Sequence, residues 1–280
     1  MDIMNNKGIP TFSVLMSVYE KEKPEFLDEA LKSIESQTVV PNQIVLISDG
    51  PLTPKLDEII KQHQLIHGEL YDVFKTKHNQ GLGAALRFGT SKVRSDWIAR
   101  MDSDDIAVPN RFELQLKEIM ANPNLALLGG QVDEFENSID NIVGHREVPL
   151  NNEKIHAFLK LRNPFNHPTV MINKNVLQSV GGYNSRGNLE DYFLWVKVIS
   201  SGSIVKNMPD VLVHMRVNEG MYGRRGGIKN LKYILKLQKL LYESGLVSVY
   251  EGCIWGVVMI ANTFIPGRIR KILYKNTFHR

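Results

Sequence analysis

Asp102, Asp104 and Asp105 follow the mostly apolar run Trp97 to Met101, so three carboxylates fall within four residues where a strand must turn. Like charges at that spacing repel one another unless a cation sits among them. Hard divalent ions such as Mg2+ or Mn2+ take oxygen ligands, with one or two protein carboxylates and substrate phosphates completing the shell. A metal-bridged diphosphate is the chemistry this run suggests. The same residues also fit an acidic turn in which Asp104 or Asp105 caps a helix over Arg111 to Met120. A second acidic pair, Glu190 and Asp191, opens the apolar run Tyr192 to Trp195. Adjacent residues on a helix do not both face inward. One of the pair then complements the helix dipole while the other points into a cleft as a general base. Simple acid enrichment at a helix start accounts for the pair equally well.

The elements that must position these groups alternate along the first 130 residues, apolar runs with helical patterns, which is the pattern of a parallel sheet with crossover helices. Strands are expected at Phe12 to Tyr19, Gln43 to Ser48, Tyr71 to Lys75, Trp97 to Met101 and Leu125 to Gly130, and a later one at Thr169 to Asn173. Apolar spacings of three and four predict helices over Glu25 to Gln37, Pro54 to His63, Leu82 to Val93, Arg111 to Met120 and Asn175 to Val180. Ligands of open α/β sheets bind beyond the carboxyl ends of the strands. Those ends carry Tyr19 and Glu20, then Asp49 and Gly50, then Asp102 to Asp105, so three polar clusters converge on one edge. Between Asp133 and Asn166 the pattern weakens into loops around a short helix near Ile155 to Leu161. The Gly81-Leu82-Gly83 stretch lacks the third glycine of a dinucleotide fingerprint, which falls on Leu86, and reads as a tight turn into a helix. His167 precedes a proline and a strand, which predicts extended backbone and a buried, satisfied ring near the cleft.

At 280 residues the chain is long enough for a full core. Its one cysteine, Cys253, excludes an internal disulfide framework and fits a reducing compartment. Met1 to Pro10 shows neither the basic nor the apolar part of a signal peptide, so a cytoplasmic location is expected. The formal net charge of +4 hides an asymmetry: up to Gly220 there are 23 basic and 28 acidic residues, beyond it 11 and 2. The tail is therefore drawn to anionic surfaces. Lys229, Lys232, Lys236 and Lys239 recur on one helical face, with Ile228, Leu231, Ile234, Leu235 and Leu241 opposite, and Cys253 to Pro266 is largely apolar before a basic run from Arg268. That apolar stretch is short of the roughly 20 residues a spanning helix needs, so the expectation is an interfacial, peripheral attachment to the membrane. No nucleic acid partner is expected, because the acidic edge repels a phosphate backbone and the tail shows no interleaved base-reading aromatics.

In order along the chain, Ser13 to Tyr19, Ile44 to Gly50, Asn79-Gln80-Gly81-Leu82-Gly83, Asp102-Ser103-Asp104, His167 to Met171 and Glu190-Asp191 resemble the motifs of the family 2 inverting glycosyltransferases with a GT-A fold, over roughly residues 10–220. The resemblance is strongest to bacterial enzymes of O-antigen and capsular polysaccharide assembly. It implies a mixed central α/β sheet flanked by helices as a catalytic domain over 1–220, followed by a basic amphipathic helical region over 221–280. It further implies transfer of a hexose, galactose or glucose for example, from a UDP-sugar to a hydroxyl of a polyprenyl-diphosphate-linked acceptor, with Mn2+ or Mg2+ as cofactor. By the same resemblance Asp104, with Asp102 nearby, holds the metal, and His214 approaches it. Asp191 is the base and Glu190 orients the acceptor. Tyr19, Glu20, Asp49, Asn79, Gly81, Arg87, Ser103 and His167 line the nucleotide-sugar site, Asp49 meeting the base. Arg224 and Arg225 close over the diphosphate or touch lipid phosphate, and Asp105 caps the next helix. Two other readings stay open: a sugar-phosphate nucleotidyltransferase, which would be expected to carry a glycine-rich loop where this chain has Val18-Tyr19-Glu20-Lys21-Glu22, and a noncatalytic nucleotide- or nucleic-acid-binding module.

Overall fold

The computed structural model describes residues 8–184, 187, 189–217 and 231–264. Strand β1 (Phe12–Val18) lies in parallel between β2 (Gln43–Ser48) and β4 (Trp97–Arg100), and β3 (Tyr71–Lys75) extends the parallel set beside β2. Beyond β4 the sheet turns mixed. Here β8 (Met171–Asn173) is antiparallel to both β4 and β6 (Leu125–Phe135), and β9 (Ile204–Arg216) runs parallel to β6. The short β5 (Ile106–Ala107) is antiparallel to β9, and β7 (Ile142–Arg146) to β6. The strand order is β3-β2-β1-β4-β8-β6-β9-β5, with β7 on β6.

Strands covered on both faces read as continuous apolar runs, and every residue of β2 is buried. Val14, Met16 and Val18 face one core, shared with helices α1 (Pro24–Glu35), α2 (Pro54–His67) and α4 (Arg111–Ala121). Leu15, Val45 and Ile47 face a second core, built with α3 (Leu82–Thr90), α5 (Asn152–Leu159), α6 (Lys174–Ser179) and α7 (Glu190–Ser200). Helix α1 buries Leu27, Leu31 and Ile34, a stripe at helical spacing. Thr53 caps α2 by accepting the Leu56 N–H at 3.3 Å, with Pro54 in the first turn. Helix α3 presses against the sheet at Gly89, where an added methyl would overlap Leu15 and Ile47.

Several expectations need correction. The strand expected at Leu125 to Gly130 runs on to Phe135, and β5, β7 and the 13-residue β9 were not foreseen. His167 is not extended: it opens a 3₁₀ turn, His167–Thr169, closed by the Thr169 N–H on the Asn166 carbonyl at 3.0 Å. In the tail, α8 (Leu231–Glu243) buries Ile234, Leu237 and Leu241, the last two joining the second core, whereas Leu235 is exposed. Helix α9 (Val249–Phe264) packs on α8 around Gln238, and exposes Val249, Tyr250, Ile254, Val257 and Val258. Among the described residues no helix is long and apolar enough to cross a membrane.

Candidate active site

Because β1, β2 and β4 are parallel neighbours, Tyr19, Asp49 and Asp102 emerge at the same edge of the sheet. Tyr19 is half-buried there and Glu20 exposed. At the end of β4 the acids meet buried arginines. Arg100, 1% exposed, pairs through its guanidinium with Asp102 and donates to the Met101 carbonyl. Behind it the fully buried Arg111 donates to the Arg100 carbonyl at 2.8 Å and to Gln115 at 3.1 Å; burial, then the Arg100 charge, pulls it down to about 9. Ser103 Oγ donates to Glu22 Oε2 at 2.6 Å, bringing a fourth carboxylate to the cluster. Burial, then repulsion from Asp102 and Glu22, pushes Asp104 up to about 7.

Asp105 does not cap a helix. Strand β5 intervenes, α4 starts only at Arg111, and Asn110 at its N-terminus makes no side-chain cap. Instead one Asp105 oxygen accepts the Arg216 backbone N–H at 2.9 Å, while the other is buried without a hydrogen-bond partner. Its burial, then the charges of Asp104 and Asp102, raises it well above the usual carboxylate range. The Arg216 side chain donates to the Asp104 carbonyl at 3.1 Å, pairs with Glu29, and lies over the rings of Phe26 and Phe135 at 3.9 and 4.5 Å.

Asp49, 3% exposed, accepts the backbone N–H groups of Gln80 and Gly81 at 2.8 and 2.9 Å, one on each oxygen. The carboxylate expected to meet a base thus anchors the loop that leads into α3. Gly81 sits at φ +86°, its N–H also received by Asn79 Oδ1 at 3.1 Å. Gly50, at φ +91°, lies so close to the loop that a methyl would stand 2.7 Å from the Asn79 nitrogen. Arg87, expected on the nucleotide side, donates to Asn184 Oδ1 at 3.3 Å. Helical spacing accounts for this contact: Arg87 is four residues after Gly83, where an added methyl would stand 2.7 Å from the Asn184 carbonyl oxygen.

Across from the β4 end, α7 begins with Glu190 and Asp191. Glu190 is 7% exposed, and its Oε2 has no hydrogen-bond partner. Burial, then Asp191, raises it to about 8, while Arg100 pulls it down and Asp102 pushes it up. The start of α7 therefore shares an electrostatic interior with the end of β4. Asp191 is more open. Its Oδ2 accepts from Asn163 Nδ2 at 2.5 Å and its Oδ1 from the Tyr192 N–H at 2.7 Å. His167 Nε2 bonds the Tyr183 hydroxyl at 3.0 Å and the ring lies edge-on to Trp195. Burial and Arg100 lower it well below the usual histidine range, so it is neutral.

His214 lies on β9 opposite Ile106, the residue after Asp105, with its Nδ1 3.8 Å from Asp133. Burial lowers it, with Asp133 opposing. Arg224 and Arg225 lie outside the described residues. Among the described residues no three His, Cys, Asp or Glu side chains form a preformed metal cage. The oxygen-only donors at Asp102 and Asp104 suit a hard cation that keeps substrate oxygens in its shell. Sequence reasoning missed Glu22, Arg100, Arg111, Asn163 and Arg216. Arg100 alone left a signal, as a charge inside an otherwise apolar strand.

Residues 13–181 match the Glycosyl transferase family 2 profile. A glycosyltransferase of Haemophilus influenzae is 39% identical over 96% of this chain and 99% of its own length. The UDP-Gal:alpha-D-GlcNAc-diphosphoundecaprenol beta-1,3-galactosyltransferase of Escherichia coli is 37% identical over 97% and 98%. Among solved structures, a mannosyltransferase of Pyrobaculum calidifontis in complex with GDP-Man and Mn2+ superposes with a TM-score of 0.63 at 12% identity, covering 96% of this chain and 76% of that one. The match runs from β1 through α6 and takes in Asp49, the Asn79 to Gly81 loop and the acids after β4. This chain therefore belongs to glycosyl transferase family 2, and it is a glycosyltransferase with the GT-A fold.

Proposed function

We propose that the protein moves a hexose, with inversion, from a UDP-sugar to a sugar hydroxyl on a polyprenyl-diphosphate-linked acceptor during polysaccharide assembly. The observation that carries this reading is the common field of the two acidic sites, since Arg100 and Asp102 at the end of β4 both bear on Glu190 at the start of α7. Asp191 takes the acceptor proton as the hydroxyl oxygen attacks the anomeric carbon, and the bond to the diphosphate breaks on the opposite face. Asn163 and the Tyr192 N–H fix the orientation of that carboxylate. Glu190, protonated near neutral pH, donates a hydrogen bond to the acceptor. Asp104, crowded by Asp102 and Glu22 and without a side-chain partner among the described residues, fits a divalent ion, with Asp102 beside it. Bound there, Mn2+ or Mg2+ supplies the positive charge that stabilises a departing diphosphate. The E. coli relative's diphospholipid acceptor and the GDP-Man and Mn2+ of the Pyrobaculum structure support the substrate and metal classes.

Purified protein with Mn2+, a panel of nucleotide sugars and a lipid-diphosphate sugar acceptor tests this. Transfer should disappear in Asp104→Ala and Asp191→Asn variants that keep the wild-type unfolding midpoint, and a metal-dependent thermal shift should single out uridine compounds. Undiminished transfer by Asp191→Asn would overturn the assignment of the base. The exposed apolar side of α9 supports peripheral attachment to the cytoplasmic membrane face. Substituting Val257 and Val258 by glutamate should then abolish sedimentation with anionic vesicles.

A further inference from the structure

An open groove runs between α7 and α8, beginning at Glu190. Its floor is apolar, from Phe193, Leu194 and Leu240, and its rim carries Lys197 from α7 with Lys236, Lys239 and the one acid Glu243 from α8. Three cations around an apolar trough, adjoining a site that handles a sugar hydroxyl, ask for an anionic, partly apolar ligand. We infer that this groove seats the diphosphate that joins an acceptor sugar to its lipid, with Lys236 and Lys239 as the main anion-binding groups. The inference rests on the lipid-linked acceptor proposed above.

Four features favour this occupant. Glu190, raised to about 8, is largely protonated at neutral pH and does not repel an anion there. Lys236 has no ion-pair partner among the described residues, and Lys239 has only Glu243, 3.6 Å away on the same exposed helix face, a pair of the kind worth little in water. Lys197, tethered to the Val180 carbonyl at 3.2 Å, holds its charge at the groove wall. Leu237 and Leu241 are fully buried in the second core, so the α8 lysines keep a fixed distance from Glu190 and Asp191. The order along the surface also matches the ligand. Glu190, next to Asp191 on α7, lines one end of the groove, the lysines line its rim, and α9, packed on α8, exposes Val249, Tyr250, Ile254, Val257 and Val258 as a surface for a lipid chain. The donor's diphosphate belongs elsewhere, beside Asp104.

Decyl diphosphate serves as a probe free of sugar and nucleotide. Calorimetry on the full chain should show binding, weakened about tenfold for each of Lys236→Gln and Lys239→Gln, as expected when one charge-assisted contact is lost. Lys232→Gln, on the same helix but outside the groove, should bind as wild type. Saturating UDP with Mn2+ should leave probe binding in place, because donor and acceptor occupy the enzyme together. Competitive displacement by UDP, or equal binding by Lys236→Gln/Lys239→Gln and wild type, would overturn the inference. So would unchanged probe binding alongside lost sedimentation with anionic vesicles in that double variant, which would make the lysines a membrane contact. The uridine thermal shift of the same variants is read separately. Its loss in wild type would strike the transferase substrates, whereas its retention with lost probe binding isolates the groove.

Discussion

Replacing Asp49 by asparagine exchanges one carboxylate oxygen for an amide nitrogen and leaves the shape of the side chain intact. In the native protein its two oxygens accept the Gln80 and Gly81 N–H groups at 2.8 and 2.9 Å, at a position 3% exposed. Asparagine keeps one acceptor and turns a donor toward the second N–H. Hydrogen bonds to a charged group contribute about 1.5–3 kcal/mol, and a buried donor left unmet costs about 1–3 kcal/mol. Part of each figure describes the same event, so the expected loss is about 2–4 kcal/mol, a large share of the roughly 5–15 kcal/mol that holds a domain together. Urea unfolding should show a lower midpoint with an unchanged slope. Hydrogen exchange should accelerate at Gln80 and Gly81 first, because their acceptor is what changed. Nucleotide affinity should fall as well, since the loosened loop carries Asn79 and Gly81. If Asp49→Asn unfolds at the wild-type midpoint with both amides still protected, yet binds UDP poorly, the anchoring argument is wrong and the carboxylate acts on the base alone.

His63 gives a pH signature. Its Nδ1 meets Glu35 at 2.7 Å and its Nε2 meets Asp28 at 3.0 Å, and the Glu35 hydrogen bond leads the causes that raise its pKa. A histidine raised in the folded state stabilises fully below its unfolded value of about 6.5 and loses that contribution as pH climbs through the folded value. Urea midpoints of wild type should therefore fall across that alkaline side, and His63→Gln should lack this slope. Glu190 behaves in the opposite chemical sense. Raised to about 8, it imposes a penalty that grows as pH rises from the ordinary glutamate value of 4.5 through the folded value. Glu190→Gln, neutral throughout, should match wild type in melting temperature below about pH 4.5, pull ahead progressively between there and about pH 8, and hold a constant lead above that; a difference independent of pH refutes the burial argument. Gly83→Ala gains about 1 kcal/mol of helix propensity but places its methyl 2.7 Å from the Asn184 carbonyl and 3.2 Å from Glu190 Cβ, an overpacking cost of about 1–3 kcal/mol. Transfer should drop more than stability does, while Gly68→Ala, whose methyl meets nothing within 4 Å, should leave transfer unchanged.

Strands β2 and β3 begin and end where the sequence pattern places them, and for β2 the reason is full burial on both faces, which leaves no ambiguity of period. The strand β5 could not be read that way. Ile106 and Ala107 are a strand only because they meet His214 and Val213, more than a hundred residues away in the chain. The same two residues defeat the helix-cap reading of Asp105, which local spacing alone had favoured. The acids of the site were legible, being clustered in sequence. Their partners were not, since Arg216 reaches Asp104 and Asp105 from β9 and Asn163 reaches Asp191 from the loop after α5. Arg87, placed on the nucleotide side by the family resemblance, makes a hydrogen bond to Asn184, a partner nearly a hundred residues away that no local pattern shows.

Both acidic runs obey one rule of division. After β4, Asp102 is met by the Arg100 guanidinium and Asp105 by the Arg216 backbone, which leaves Asp104 as the carboxylate with no side-chain hydrogen bond or ion pair among the described residues, only the field of Arg216 opposing its burial. At the start of α7, Glu190 is buried and raised, while Asp191 stands more open with both oxygens oriented by neighbours. Adjacent carboxylates cannot share one environment, so the backbone sends each to a different fate, and burial separates their proton affinities. In the first run Asp102 and Asp105 are tied down and Asp104 is not; in the second Asp191 is the more open of the two acids. The buried arginines make that division stable: Arg111 holds the carbonyl of Arg100, Arg100 holds Asp102, and the field of both residues of that pair extends to Glu190. The end of β4 and the start of α7 are thus tuned by the same guanidinium, and a change of charge at Asp102 is felt at Glu190.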